Sequence, residues 1–529
     1  MVKERFFGLT NEQGNHGEDV KEYFYYLDST PTHSYMKMLY KYPQNAFPYE
    51  ELISINAERN KTEPEYELID TGIFDTNEYF DIFIEYAKES QNDILVKLTI
   101  INKSEKAAPL TVLPTLWFRN TWNWGYDDYK PQLSGDKNNH IYVNHRALDI
   151  KKVYAKESLP ILFCDNETNN ERLYHSENGT QYCKDGINVF VMTGNPQTIN
   201  PKMTGTKASF YIDEVFKAKE SKTFEFRISD KDLEEPFHDF DEIFKLRVRE
   251  ADEFYTDIQK DIISEDEKMI QRQAFAGMLW NKMFYHYNVE KWLKGDPAEL
   301  PPPKTRDKIR NYDWKHLNNE HIISMPDKWE YPWYATWDLA FHTISFSLID
   351  PDFAKHQLKL FLFEWYMHPN GQLPAYEWNF SDVNPPVHAW AVFRVFKIDE
   401  YLKGKPDLEF LESAFQKLLM NFTWWVNKKD VNGNNIFEGG FLGLDNIGVF
   451  DRNSVLPNGE QLEQSDGTSW MAMFALNMMR IALELALYNN VYEEMAMKFF
   501  DHFLSIANSL DNMGDENFSL WDDEDEFFL

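Results

Sequence analysis

YFDIFIEYA (79–87) and DILVKLTIINK (93–103) decide the first half of the fold. In the first run Phe80, Ile82, Ile84 and Tyr86 recur at every second position; in the second, Ile94, Val96, Leu98 and Ile100 do so. Side chains of an extended backbone alternate between two faces, so this period gathers the apolar groups on one of them. The same pattern recurs outward in GINVFVMTG (186–194), KASFYIDEVF (207–216) and KTFEFRIS (222–229), with Asn, Gly, Asp and Ser clusters between the runs. Runs of this kind predict an antiparallel β-sandwich over residues 1–245.

After a linker at 246–262 the period changes to 3.6. Ser264 and Glu267 have the spacing of a capping box. Behind them Ala276, Trp280, Met283, Phe284 and Tyr287 predict one apolar helix face. Asp350 and Pro351 read as the cap and first turn of a helix that runs through LKLFLFEWYM (358–367) and stops at the PNG of 369–371. PVHAWAVFRVF (386–396), DLEFLESAFQKLLMNFTWWVN (407–427), SWMAMFALNMMRIALELAL (469–487) and EEMAMKFFDHFLSIANSL (493–510) continue the pattern. About seven helices result. Long loops at 293–336, 368–385 and 429–467 separate several of them, and long loops in a compact domain are usually functional. Helices alternating with aromatic, carboxylate-bearing loops predict a toroid of helix pairs over 263–529, with its site on one rim.

The composition is that of a globular protein. Of 529 residues 43% are hydrophobic and 27% charged, and aromatics reach 16%. The formal net charge of −33 makes nucleic acid and anionic membranes poor partners. Cys164 and Cys183 are the only cysteines, too few for a disulfide framework, and fit a reducing compartment. The start, MVKERFFGLTNEQGNHGED, lacks a signal-peptide core, and no stretch of about 18 apolar residues could span a membrane. The cytoplasm is the expected location.

Three loops carry polar groups that could do chemistry. YPWYATWDLAF (331–341) places Tyr334, Trp337 and Asp338 ahead of a helix; YEWNFSDVNPPVHAW (376–390) places Glu377, Trp378, Asn379, Asp382 and Asn384 before another. GGFLGLDNIGVFDRN (439–453) sets Asp445 among glycines and large apolar residues. Taken singly, each has a structural alternative: a helix cap, a proline turn, an Asp-stabilised turn. Together, aromatic plates with carboxylates and amides are what a sugar requires. Hydrolysis of a glycosidic bond needs two carboxyl groups, one of them protonated near neutrality. The apolar surroundings of Asp445 would raise its pKa and make it the candidate acid. Spacing alone would pair it with Asp338 as base. No phosphate loop or H-E-x-x-H pair occurs, so no cofactor or metal is expected. His16, Glu18 and Asp19 in NHGED are packed too closely to close on one ion.

At ERFFGLTNEQGNHGEDVKEYFYYLDSTPTHSYMKMLYKYPQ (4–44), LPTLWFRNTWNWG (113–125), WYATWDLAFH, NPPVHAWA and GLDN the sequence resembles the bacterial branch of glycoside hydrolase family sixty-three, grouped with mannosylglycerate hydrolase-like enzymes. The resemblance implies a β-sandwich followed by an (α/α)6 barrel and inverting hydrolysis of an α-linked glucoside or mannoside, with an oligosaccharide or small α-glycoside as partner. It assigns Asp445 as the general acid and moves Asp338 from catalysis to holding sugar hydroxyls. Tyr334, Trp337 and Asn384 become substrate contacts, and Trp378 of the second loop is a further candidate from its own reading. It also implies a chain longer at both ends, with the catalytic base, a Glu, beyond LWDDEDEFFL (520–529); Glu438, Glu463 and Asp466 are nearby carboxylates without a mark of that role. On this expectation the barrel here is incomplete, and a second polypeptide supplies the missing helices. A non-catalytic carbohydrate-binding remnant and a helical interaction scaffold are the alternatives.

Overall fold

A computed structural model of the chain describes residues 23–60, 62–136, 140–308, 312, 314–325, 334–375, 380, 383–428, 435–437, 465–511, 519 and 521–528. The chain divides into two compact units. The first comprises residues up to Trp280 with Asp296–Leu300; the second comprises Asn281–Gly295 and Pro301 onward.

The first unit is built on a nine-stranded antiparallel sheet. Its strands are β1 (Phe24–Ser29), β2 (Tyr35–Pro43), β3 (Tyr79–Ser90) and β4 (Asp93–Asn102), then β7 (Gln132–Gly135), β8 (His140–Asn144), β9 (Lys152–Ala155), β11 (Thr204–Gly205) and β14 (Ser221–Ser229). Their order is β1-β2-β3-β4-β14-β9-β8-β7-β11. β5 (Ala108–Val112) pairs with β13 (Ile212–Phe216), and β6 (Thr115–Trp117) and β10 (Ile161–Cys164) flank β12 (Lys207–Phe210). These smaller sheets share one core with the large one, since Phe80, Ile100, Leu133, Phe163, Phe210 and Phe224 pack in a single cluster. The two quoted runs form the β3–β4 hairpin, with Ile82 opposite Ile100 and Ile84 opposite Leu98. Phe80 and Ile82 face the core as the alternation requires.

The other face of the hairpin is covered too. α4 (Phe240–Ile258) lays Phe240, Ile243 and Phe244 on Tyr35, Ala87 and Leu95, and it runs through most of the stretch taken from the sequence as a linker. Its start is fixed by Arg227, which donates from Nε and Nη2 to the two oxygens of Asp93 at 2.7 and 2.9 Å. Nη1 donates to Asp239 Oδ1 at 2.6 Å and to the Pro236 carbonyl at 2.8 Å. Arg227 and Asp93 are both buried, and a planar guanidinium meeting a carboxylate by two bonds is the geometry in which such burial is tolerated.

Two sequence expectations fail here. GINVFVMTG is helix α3 (Gly186–Thr193), not a strand; α1 (Tyr49–Glu58) and α2 (Asn170–Tyr174) precede it. A short apolar run fits a buried helix as well as a strand. Here Gly194 at φ 69° closes the helix, its N–H donating to the Phe190 carbonyl. In the second case α5 (Glu265–Trp280) ends where the apolar face was expected to continue. Lys282–Asn288 is instead strand β15, paired with β16 (Asn318–Ser324) inside the supposed loop 293–336. The aromatic run KMFYHYN suits a strand once a partner is available, and Met283 and Phe284 stay exposed. The Ser264 cap does form, its Oγ accepting from Glu267 N at 3.4 Å.

The second unit continues with α6 (Val289–Lys294), α7 (Thr336–Phe346), α8 (Pro351–Leu360), α9 (His388–Lys403), α10 (Leu408–Val426), α11 (Ser465–Ala486) and α12 (Val491–Asp511). Asp350 caps α8 by accepting from Phe353 N at 3.1 Å while its second oxygen takes Lys282 Nζ at 3.0 Å. α8 stops at Leu360 rather than running through Met367. Tight turns follow, in which Phe361, Leu362 and Tyr366 are fully buried and Trp365 is half exposed. α7 to α12 pack successively on one another, and Phe422 of α10 meets α11 and α12, its ring 5.1 Å from Phe474 and 5.0 Å from Phe499. Among the described residues no helix is long and apolar enough to cross a membrane. Cys164 and Cys183 are free and buried, and burial pushes the Cys164 thiol up to about 12. The NHGED segment lies outside the described residues.

Asp93→Ala removes the bidentate partner of a buried guanidinium and leaves it Asp239 and the Pro236 carbonyl. It is expected to lower the stability of the first unit by about 3–5 kcal/mol, read as a drop in its calorimetric unfolding temperature.

Candidate functional site

The start of α7 rests on the segment that leads into the second of the polar loops. Thr336 N donates to the Ala375 carbonyl at 3.3 Å and Thr336 Oγ1 to the Pro374 carbonyl at 2.8 Å. Tyr334, just before the helix, is 1% exposed, with its ring 5.3 Å from Tyr366. Burial pushes its phenol well above the ordinary range. Its ring is therefore core and not an open plate. Trp337 is half-buried and its ring lies 6.1 Å from Phe341, which meets Trp390 edge-on at 5.9 Å. The sequence thus sets up an aromatic row along one side of the α7 and α9 starts.

Asp338 occupies the first turn of α7 and is half-buried. Burial raises its carboxyl above the usual range, against the opposing hydrogen bond from its own backbone N–H. A helix N-terminus favours a negative charge, but loss of hydration outweighs it here.

Asn384, 6% exposed, places Oδ1 3.5 Å from Trp337 N, at the outer limit of a hydrogen bond. Its Nδ2 has no hydrogen-bond partner among the described residues. A buried amide donor left unpaired costs about 1–3 kcal/mol. A carboxylate accepts and an amide nitrogen donates; a hydroxyl can do both. Tyr334, Trp337, Asp338 and Asn384 are therefore brought to one place by the α7 and α9 starts. Trp378 and Asp445 lie outside the described residues, as do Glu377, Asn379, Asp382, Glu438 and Glu463.

Three supporting residues escape a sequence reading. His388 is 3% exposed, and burial lowers it to about 4, so it is neutral near pH 7. Its Nε2 lies 3.0 Å from Asn421 Oδ1. Asn421 Nδ2 donates to the Gly371 carbonyl at 2.8 Å, which leaves Oδ1 as the acceptor and His388 Nε2 as the donor. Gly371 sits at φ 93°, and a Cβ there would fall 2.4 Å from the Met420 carbonyl, so no other residue fits. One signal was available: a lone Asn in the apolar run LLMNFTWW is a polar group on a core face.

Residues 331–441 match the family model of the mannosylglycerate hydrolase MGH1-like glycoside hydrolase domain. The chain carries a stretch similar to a glycoside hydrolase domain. That stretch contains all four described site residues. The whole chain also aligns at 46% identity with an uncharacterized protein of Saccharomyces cerevisiae and spans 54% of that protein's length. Among solved structures, a putative kojibiose phosphorylase from human microbiome is similar over 85% of this chain and 55% of its own, at 9% identity and a TM-score of 0.27. A polysaccharide lyase is similar over 82% of this chain and 70% of its own, at 8% identity and a TM-score of 0.20. Superpositions this loose assign neither fold nor ligand.

The raised carboxyl of Asp338 has a stability consequence. Between the unfolded and folded pKa values the unfolded chain has released a proton that the folded chain keeps, so stability falls as pH rises through that window. Above it the penalty is complete. Asp338→Asn removes the charge and is expected to raise the melting temperature at pH 7 and to leave it nearly unchanged well below pH 4. A melting temperature lowered by the substitution at pH 7 would contradict the burial cost.

Proposed function

We propose that the chain is a glycosidase of the mannosylglycerate hydrolase-like group, hydrolysing an α-linked glucoside or mannoside with inversion. Asp445 is the general acid. Asp338 holds adjacent sugar hydroxyls, Asn384 donates to the ring substituents, and Trp337 and Trp378 stack on the sugar face, over Tyr334. The helices α7 to α12 belong in this reading to an (α/α)6 barrel. The catalytic base is a glutamate on further helices, from another segment or a second polypeptide. Two carboxyl groups suffice for the proton transfers of such a reaction. The proposed location is the cytoplasm.

One observation carries this reading. The stretch similar to a glycoside hydrolase domain contains the half-buried carboxylate of Asp338 and the buried Asn384 amide, whose Nδ2 has no partner among the described residues. A site of that make-up loses stability unless a ligand rich in hydroxyls completes it.

The test is hydrolysis of α-glucosides, α-mannosides and glycerate-linked sugars, by the chain alone and co-expressed with the adjoining reading frame. Asp445→Asn is expected to lower kcat by about 10²–10⁴-fold while sugar binding persists. Turnover that survives Asp445→Asn unchanged would remove it as the acid. Sugar binding that depends on Trp337 and Asp338, without hydrolysis in either preparation, would replace catalysis by carbohydrate binding alone.

A further inference from the structure

Residues 300–303 of the run LPPPK (300–304) belong to neither a helix nor a strand. Covalent geometry sets their backbone. Each proline ring holds φ at about −65°, and a residue that precedes proline is kept out of the helical region. Leu300, Pro301 and Pro302 all precede proline, so the run is extended as a left-handed polyproline helix of about three residues per turn. A 3-10 helix, Lys304–Lys308, follows it.

A helix of that pitch has three edges. Leu300 and Pro303 share one, Pro301 and Lys304 share the second, and Pro302 occupies the third. The exposures follow this arrangement. Leu300 is 89% exposed; Pro301, Pro303 and Lys304 are exposed; Pro302 is half-buried. Pro302 packs on Gly295, the residue that ends α6, so closely that a Cβ there would fall 2.8 Å from the Pro302 Cγ. The far end of the run is tied down as well. Arg306 N donates to the Pro303 carbonyl at 2.9 Å, and Arg306 Nη1 donates to the Trp292 carbonyl of α6 at 2.7 Å. The Arg306 guanidinium lies 4.7 Å from the Trp292 ring centroid. One edge is thus anchored and two face outward. No described residue donates to the carbonyls of Leu300, Pro301 and Pro302.

We propose that Leu300–Lys304 is a recognition segment for a protein partner whose groove is lined by Trp and Tyr rings and bordered by carboxylates. The two outward edges present Leu300 with Pro303, and Pro301 beside Lys304, as ridges that fit between flat rings. Tyr hydroxyls and Trp N–H groups at the mouth of such a groove can donate to the carbonyls of 300–302. A polyproline helix is already formed before the partner arrives, so little chain entropy is lost on binding. The charges select the border of the groove. Lys304, Arg306 and Lys308 stand against one carboxylate, Asp307, a locally basic stretch in a chain of formal charge −33. Asp338 and Asp445 play no part in this contact.

The test is biolayer interferometry of the immobilised full chain against purified SH3, WW and EVH1 domains, whose aromatic grooves take polyproline helices. Binding by at least one of them is expected, in competition with the free peptide AELPPPKTR (298–306). Pro301→Ala combined with Pro303→Ala is expected to weaken it at least tenfold, and so is Lys304→Glu. The melting temperature of each variant serves as the folding control. Should the double proline variant prove unfolded, Lys304→Glu alone carries the same expectation, because its side chain is exposed at the surface. Failure of every domain to bind the full chain overturns the proposal, including the case in which the free peptide binds and the folded chain does not. Binding that survives both the proline substitutions and Lys304→Glu places the contact elsewhere and overturns it too.

Discussion

Asn421 is the constraint on which the candidate site depends. From the core face of α10 its amide does two things at once: it accepts from His388 on α9 and donates to Gly371 in the loop after α8. Gly371 lies against α10 so closely that only a hydrogen fits in place of a side chain. Pro374 and Ala375, a few residues on, receive the hydrogen bonds of Thr336. Asp338 is two residues further along α7. One buried amide thus fixes the position of α9, of the 371–375 segment and, through it, of the carboxylate. A neutral His388 is part of the device, since a charged imidazolium would have no hydration in that place.

That framework holds groups which the protein would be more stable without. A half-buried carboxyl with no cation, and an amide donor with no acceptor, among the described residues both oppose folding. Several buried charges of the scaffold are, by contrast, paired. Arg227 is shared between Asp93 and Asp239, and Lys355 meets Asp399 at 3.0 Å and Asp407 at 2.6 Å. The proposed site rests on the half-buried Asp338 and on the Asn384 amide, whose Nδ2 has no partner among the described residues.

Much of this was legible in the residues. The alternation in 79–87 and 93–103 specified the hairpin and its core face, because half-buried strands enforce period two. Asp350 and Pro351 announced α8 through a cap whose bond is local. GINVFVMTG and KMFYHYN were misread for one shared reason: short runs take their conformation from distant partners, which periodicity cannot reveal. Asp338 and Asn384 could be named from their loops. Their environment could not, since burial of one and the orphan amide of the other arise from tertiary packing. The relay through Asn421 depends on the contact between α10 and the Gly371 loop, fifty residues apart in sequence, and no local pattern encodes it.

The most direct measurement is a crystal structure of the chain soaked with a non-hydrolysable α-glycoside. The account predicts sugar hydroxyl oxygens within about 3 Å of the Asp338 carboxylate and of Asn384 Nδ2. Density showing Asn384 Nδ2 already bonded to a protein acceptor, with no sugar at the start of α7, would contradict it.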